Sequence, residues 1–253
     1  MKTINCLKFG LIGSIALLAA ALAGKSHAVA VTLDVFVDDA WGGTYNETMI
    51  GCVDNAGTPT ATCTGGDFDI VNGEGDTGLT LDNWNMFLDP DPVISGIVAV
   101  TNNSATTQKY TLIFTLPIAP AIPGSSLIGG SIQGGLTDNN GNGATLSTAT
   151  GSSFYSALID GSVVQTLYDD VSSFSAGAFL SANVPNVAFG TPIPSQAGPA
   201  ALSTIGIQLE FELSAGDSAS FTSNFVVLPV PVPGAAILFA SGLAVLGMRR
   251  RNR

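Results

Sequence analysis

Gly206-Ile207-Gln208-Leu209-Glu210-Phe211-Glu212-Leu213-Ser214 alternates without a break: Ile207, Leu209, Phe211 and Leu213 point one way, and Gln208, Glu210, Glu212 and Ser214 the other. A period of two is the signature of a strand with one face in a core and one in water. The turn-forming Ser214-Ala215-Gly216-Asp217 follows, then Ala219, Phe221, Phe225 and Val227 on a second alternating run. Two such runs around a short polar turn predict an antiparallel hairpin.

The same period recurs upstream. Val31, Leu33, Val35 and Val37 oppose Thr32, Asp34, Phe36 and Asp38, and Tyr110, Leu112, Phe114 and Leu116 oppose Lys109, Thr111, Ile113 and Thr115. Further strands are predicted over 79–88, 93–101, 127–136, 144–148, 154–159 and 163–168. Asp89-Pro90-Asp91-Pro92, Asn102-Asn103-Ser104, Asp138-Asn139-Asn140-Gly141 and Asp160-Gly161 punctuate them with turn chemistry. Many short alternating strands and almost no helical spacing predict an all-β antiparallel β-sandwich, of jelly-roll or Ig-like type. The proline-rich stretch 184–199 reads as a long surface loop, because proline donates nothing to a ladder. No repeat or boundary divides residues 31–228, which are expected to form one domain.

Both ends differ from this body. Residues 1–30 hold Lys2 and Lys8, an apolar run from Phe9 to Ala23, and Ser26-His27-Ala28-Val29-Ala30. Basic end, apolar middle and small-x-small finish are the layout of a secretory signal peptide, cut after Ala28 or Ala30. Ala30 is preferred, because the alternating strand starts at Val31. At the other end, residues 229–253 comprise the spacer Pro229-Val230-Pro231-Val232-Pro233, an uncharged run over 234–248, and Arg249-Arg250-Arg251-Asn252-Arg253. As a helix the run would be roughly 22 Å long, close to a single membrane span with its flanks. The arginines after it would remain cytoplasmic and hold the body outside.

Proline motif, C-terminal helix and arginine cluster together resemble the PEP-CTERM sorting signal, which exosortase reads in Gram-negative bacteria that make exopolysaccharide. Val230, Pro231, Pro233 and Gly234, followed by Ala235-Ala236, are similar to its Val-Pro-x-Pro-Ala-Ala variant, and Arg249, Arg250 and Arg251 take the place of its terminal cluster. Two positions depart from the pattern: Val232 stands where the usual motif has Glu, and Gly234 where the variant has Ala. The resemblance implies an exosortase-type processing enzyme as partner and transient residence in the inner membrane. Cleavage near the prolines would then deliver the protein to the cell surface or an exopolysaccharide matrix.

Charge and residue inventory narrow the chemistry. All nineteen acidic residues lie between the two ends, where Lys109 is the single base, so the body carries −18. Such a surface repels phosphate backbones and excludes nucleic acid as a partner. His27 is the only histidine and falls in the signal, which removes Ser-His-Asp and Cys-His catalysis and histidine-ligated metals. Cys6 leaves with the signal, and Cys52 and Cys63 remain as an even pair in an oxidising compartment, predicting a disulfide across a turn-forming loop.

Carboxylates are what is left. Asp67, Asp69, Glu74 and Asp76 are candidate calcium ligands, while Asp138, Asn140, Asn142 and Gly143 match only the first half of a calcium loop, with Ala149 in place of its bidentate glutamate. Polar turns, using Asn and Gly for their permissive backbone, are the preferred reading of both stretches. Glu210 and Glu212, about 7 Å apart on one strand face, are the only glycosidase-like pair, although such pairs are ordinary on wet sheets. Trp41, Tyr45 and Trp84 are the aromatic residues that could stack on sugars, a role to be weighed against burial in the core. The expectation is an exported structural or interaction protein with no turnover chemistry. A carbohydrate-binding module or adhesin is the alternative, and a carboxylate-only glycoside hydrolase comes third.

Overall fold

A computed structural model describes residues 30–39, 41–71 and 77–230. Sixteen strands occupy them. In chain order they are β1 (Thr32–Val37), β2 (Trp41–Asn46), β3 (Cys52–Asp54), β4 (Ala61–Val71), β5 (Thr77–Asp89), β6 (Val93–Asn102), β7 (Gln108–Pro117) and β8 (Ser126–Thr137). The second half adds β9 (Ala144–Ser147), β10 (Ser153–Ile159), β11 (Ser162–Asp169), β12 (Ser173–Ala176), β13 (Ser181–Phe189), β14 (Gln196–Gly198), β15 (Thr204–Leu213) and β16 (Ser218–Pro229).

They form two antiparallel sheets. The first runs β11-β10-β15-β7-β1-β2, with β9 and β12 appended beside β15; the second runs β13-β8-β16-β6-β5-β4-β3, with β14 also on β8. Their apolar faces close on one core, in which Tyr110, Tyr155, Phe154, Phe211, Phe221 and Phe225 are the largest fully buried side chains. Two of these tyrosines span the sandwich: Tyr110 Oη donates to Gly78 O at 2.8 Å and Tyr155 Oη to Asn224 O at 2.8 Å. Burial of a phenol is tolerated because each hydroxyl finds a carbonyl on the opposite sheet.

The predicted strands are present, with inward residues where the alternation placed them: Leu33, Val35 and Val37 on β1, and Tyr110, Leu112, Phe114 and Leu116 on β7 are all buried. Two expectations are corrected. β15 and β16 do not pair. β15 lies between β7 and β10 while β16 lies between β6 and β8, so Ser214–Asp217 is an arch from one sheet to the other. The physical reason is that both strands carry a full apolar stripe, and a strand on each sheet sets the two stripes face to face in the core. Phe211 and Phe221 meet across the core with ring centroids 4.8 Å apart. Residues 184–199 are not one long loop either, since β13 extends to Phe189 and β14 covers Gln196–Gly198. Pro185 is accommodated because β13 is an edge strand with a register shift between Val184 and Val187.

The ends of the described chain leave at one pole. Thr32 opens β1 opposite Thr115, near the end of β7. Ala119, just beyond β7, donates to Pro90 O, and Val227 and Val230 at the end of β16 donate to Pro92 O and Ser125 O. The β8–β9 loop and the β15–β16 arch therefore occupy the opposite pole.

Candidate functional site

Cys52 and Cys63 are bonded. They stand directly opposite each other on β3 and β4, and Asn55 closes the intervening hairpin by donating through Nδ2 to Thr60 Oγ1 at 2.9 Å. Cys63 is fully buried.

The aromatic candidates separate. Trp84 is core, 5 % exposed, and its Nε1 donates to Ile50 O at 2.9 Å. Its indole lies over Gly65, its register partner on β4, where a Cβ would come within 2.0 Å of the ring. Tyr45 is half-buried and meets Phe68 edge-on at 5.0 Å, and Phe68 meets Trp84 in the same manner at 6.3 Å. These rings join β2 of one sheet to β4 and β5 of the other. Trp41 opens β2, and its side chain lies outside the described residues.

The glutamates also have partners. Lys109, the only cation among the described residues, binds Glu210 at 2.9 Å and Asp39 at 2.8 Å. The hydrogen bond to Asp39 raises the Lys109 pKa, desolvation works against it, and Glu210 adds to the rise. Gln208 Nε2 donates to the second oxygen of Glu210, and Ser147 Oγ donates to Glu212.

Of the calcium candidates, Asp67 and Asp69 lie exposed on β4, and Asp69 accepts from Thr80 Oγ1 at 2.6 Å. Glu74 and Asp76 lie outside the described residues. No group of three metal-capable side chains occurs among the described residues. In the second stretch Asp138 turns inward: Oδ1 accepts from Gly141 N at 3.1 Å and Oδ2 from Phe179 N at 2.6 Å. Asn140 is exposed and bridges to the arch, donating to Ala215 O at 2.7 Å. This stretch has the geometry of a polar turn.

Around it lies an interlock of three turns for which the residue pattern gives no sign. Asn102 and Asp217 are fully buried and Asp138 is 3 % exposed. Asn102 Nδ2 donates to Leu213 O at 2.8 Å, Ser214 O at 3.1 Å and Thr106 O at 3.0 Å, while its main chain exchanges bonds with Gly216 and Asp217. Asp217 accepts from Asn139 N and from Ser214 Oγ. The signal was present only as turn residues at 102–104, 138–141 and 214–217; nothing local shows that three turns meet.

Ala28, the remaining signal residues and residues 231–253, with Pro231, Pro233, Gly234, Arg249, Arg250, Arg251 and the expected C-terminal helix, lie outside the described residues. Ala30 and Val230 are described and exposed. Among the described residues no helix is long and apolar enough to cross a membrane. No protein-family model matches the chain, and no curated protein is similar to it.

Proposed function

We propose that this is an exported structural or interaction protein: an acidic, disulfide-closed sandwich of jelly-roll type, carried to the cell surface or an exopolysaccharide matrix by an exosortase-type sorting reaction. The observation that carries the reading is the three-part C-terminal pattern, from Val230-Pro231-Val232-Pro233 through the uncharged run to the arginine cluster. The fold is consistent with it. Both ends of the described chain leave from one pole, so a body tethered at either end projects its opposite pole outward. Repeated crossing between sheets, as from β6 to β7, β7 to β8, β8 to β9 and β15 to β16, supports the jelly-roll form over the Ig-like one. The body's acidity keeps it soluble and self-repelling outside the cell.

The carboxylate-only hydrolase loses support from the engagement of Glu210 by Lys109 and of Glu212 by Ser147. A sugar platform built on Trp84 loses support from its burial.

The test is intact mass of the protein recovered from cells and from medium, in the parent strain and in one lacking the sorting enzyme. Loss of residues 1–30 and of the tail in the parent, with the tail retained in the mutant, is expected. A tail retained in both strains overturns the sorting proposal and leaves a simply anchored body.

A further inference from the structure

The pole opposite the chain ends holds two carboxyl groups that the proposed function does not use. Asp138 and Asp217 sit side by side, the first on the β8–β9 loop and the second in the β15–β16 arch, 3 % and 0 % exposed. The segments packed on them contain no other ionisable residue: Asn139–Gly143, Gly177–Leu180, Ser214–Gly216 and Asn102–Thr106 are all uncharged. Lys109 is occupied by Asp39 and Glu210.

Asn139, next to Asp138 in the chain, gives its N–H to Asp217, so one turn holds two buried carboxyl groups, and with no cation in the described segments packed on them the two do not both ionise without cost. Their surroundings decide which one keeps the proton. Asp138 receives backbone N–H groups from Phe179 and Gly141 and is suited to be the anion. Asp217 accepts from Asn139 N at 3.3 Å and from Ser214 Oγ, and it also faces the anion.

We infer that Asp217 in its acid form donates to the Asp138 carboxylate, and that this shared proton is a pH-sensitive clasp fastening the β8–β9 loop, the β12–β13 turn and the β15–β16 arch to one another. Desolvation raises the Asp217 pKa and the neighbouring Asp138 adds to the rise, outweighing Ser214 and Asn139. For Asp138 desolvation also acts upward, but the N–H groups of Phe179, Gly143 and Gly141 and the proton of Asp217 bring the pKa below the ordinary value.

The sign follows. A raised folded-state pKa favours folding when the group is protonated, and that contribution declines as pH rises from about 4 toward the folded value. The lowered Asp138 value acts the other way below about 4. The clasp is therefore tightest where the pair holds a single proton, and it loosens on both sides. Loosening it frees the N–H of Phe179, whose side chain is 73 % exposed beside Leu180 at 62 %, so the clasp also governs how firmly this apolar tip is presented.

The experiment is hydrogen exchange on the full-length protein between pH 3.5 and 8, with intrinsic rates corrected and the Asn55–Thr60 hairpin as internal reference. Protection of peptides containing Gly141 and Phe179 should fall by up to tenfold per pH unit above about 4 and then level off. Asp217→Asn, whose amide donates to Asp138 at every pH, should abolish that fall. A flat wild-type profile, or an Asp217→Asn profile that follows the wild type, overturns the clasp. Should the variant not fold, carboxyl-carbon NMR of the wild type decides: Asp217 titrating above the ordinary aspartate range supports the shared proton, and Asp217 titrating at the ordinary value overturns it.

Discussion

Reducing the bond between Cys52 and Cys63 should destabilise the protein by an amount that the structure bounds. The cysteines are 11 residues apart, and closing a loop of that size in the unfolded chain is worth a little under 3 kcal/mol in the chain-entropy model. Several features of the native state keep the loss from exceeding this. Cys52 and Cys63 are register partners within one hairpin, the ladder continues through Val53–Thr62 and Asp54–Ala61, and Asn55 holds the loop independently of sulfur. β3 is also an edge strand that pairs only with β4, so no second strand depends on it. Urea unfolding with and without a thiol reductant should show a loss of about 2–3 kcal/mol, or roughly 1 M in midpoint, with the native near-ultraviolet circular dichroism intact before the transition. An unchanged midpoint would refute the crosslink. Collapse of the near-ultraviolet signal in reductant alone would refute the claim that its effect is confined to loop closure.

Replacing Asn102 with Ala leaves the carbonyls of Leu213, Ser214 and Thr106 without their shared donor, and urea unfolding should show a loss of about 2–4 kcal/mol; a loss below about 1 kcal/mol would mean the arch does not rely on it. For Asp160, desolvation raises the carboxyl pKa, but the N–H groups of Thr204, Leu202 and Ser203 and the Ser203 hydroxyl outweigh it and bring the value to about 2. That stabilisation is present above the unfolded-state value of about 3.9 and is lost as pH falls toward 2; at this exposed turn it is worth on the order of 1 kcal/mol after solvent screening, so an Asp160→Asn variant should match the wild type at pH 2 and fall below it at pH 6. In a Trp41→Phe variant the remaining Trp84 should emit as a buried indole, resist acrylamide and ignore added polysaccharide; quenching by a sugar polymer would contradict its place in the core.

Strands such as Gln108–Pro117 and Thr204–Leu213 were legible because a half-buried strand writes its burial into every second residue. β2, with Gly42 and Gly43, and β4, with Gly65 and Gly66, were not. Glycine carries no apolar signal, and at Gly65 its reason is the indole of Trp84 lying over it, nineteen positions away in sequence. β13 was hidden by Pro185, which an edge strand tolerates and a central one does not.

The all-β class, the turn at Asp160-Gly161, the cysteine pair and the acidic composition of residues 31–228 could all be read from the chain before it folds. These are local or compositional properties, readable wherever the chain is cut. Which strands are neighbours emerges only when the chain packs. β15 and β16 are adjacent in sequence and carry matching stripes, yet they belong to different sheets and face Phe211 against Phe221 across the core. The same step brought Asn102, Asp138 and Asp217 together from three separate turns and buried them. Partner choice between strands depends on the whole set of stripes to be covered at once, and no window of sequence contains that set.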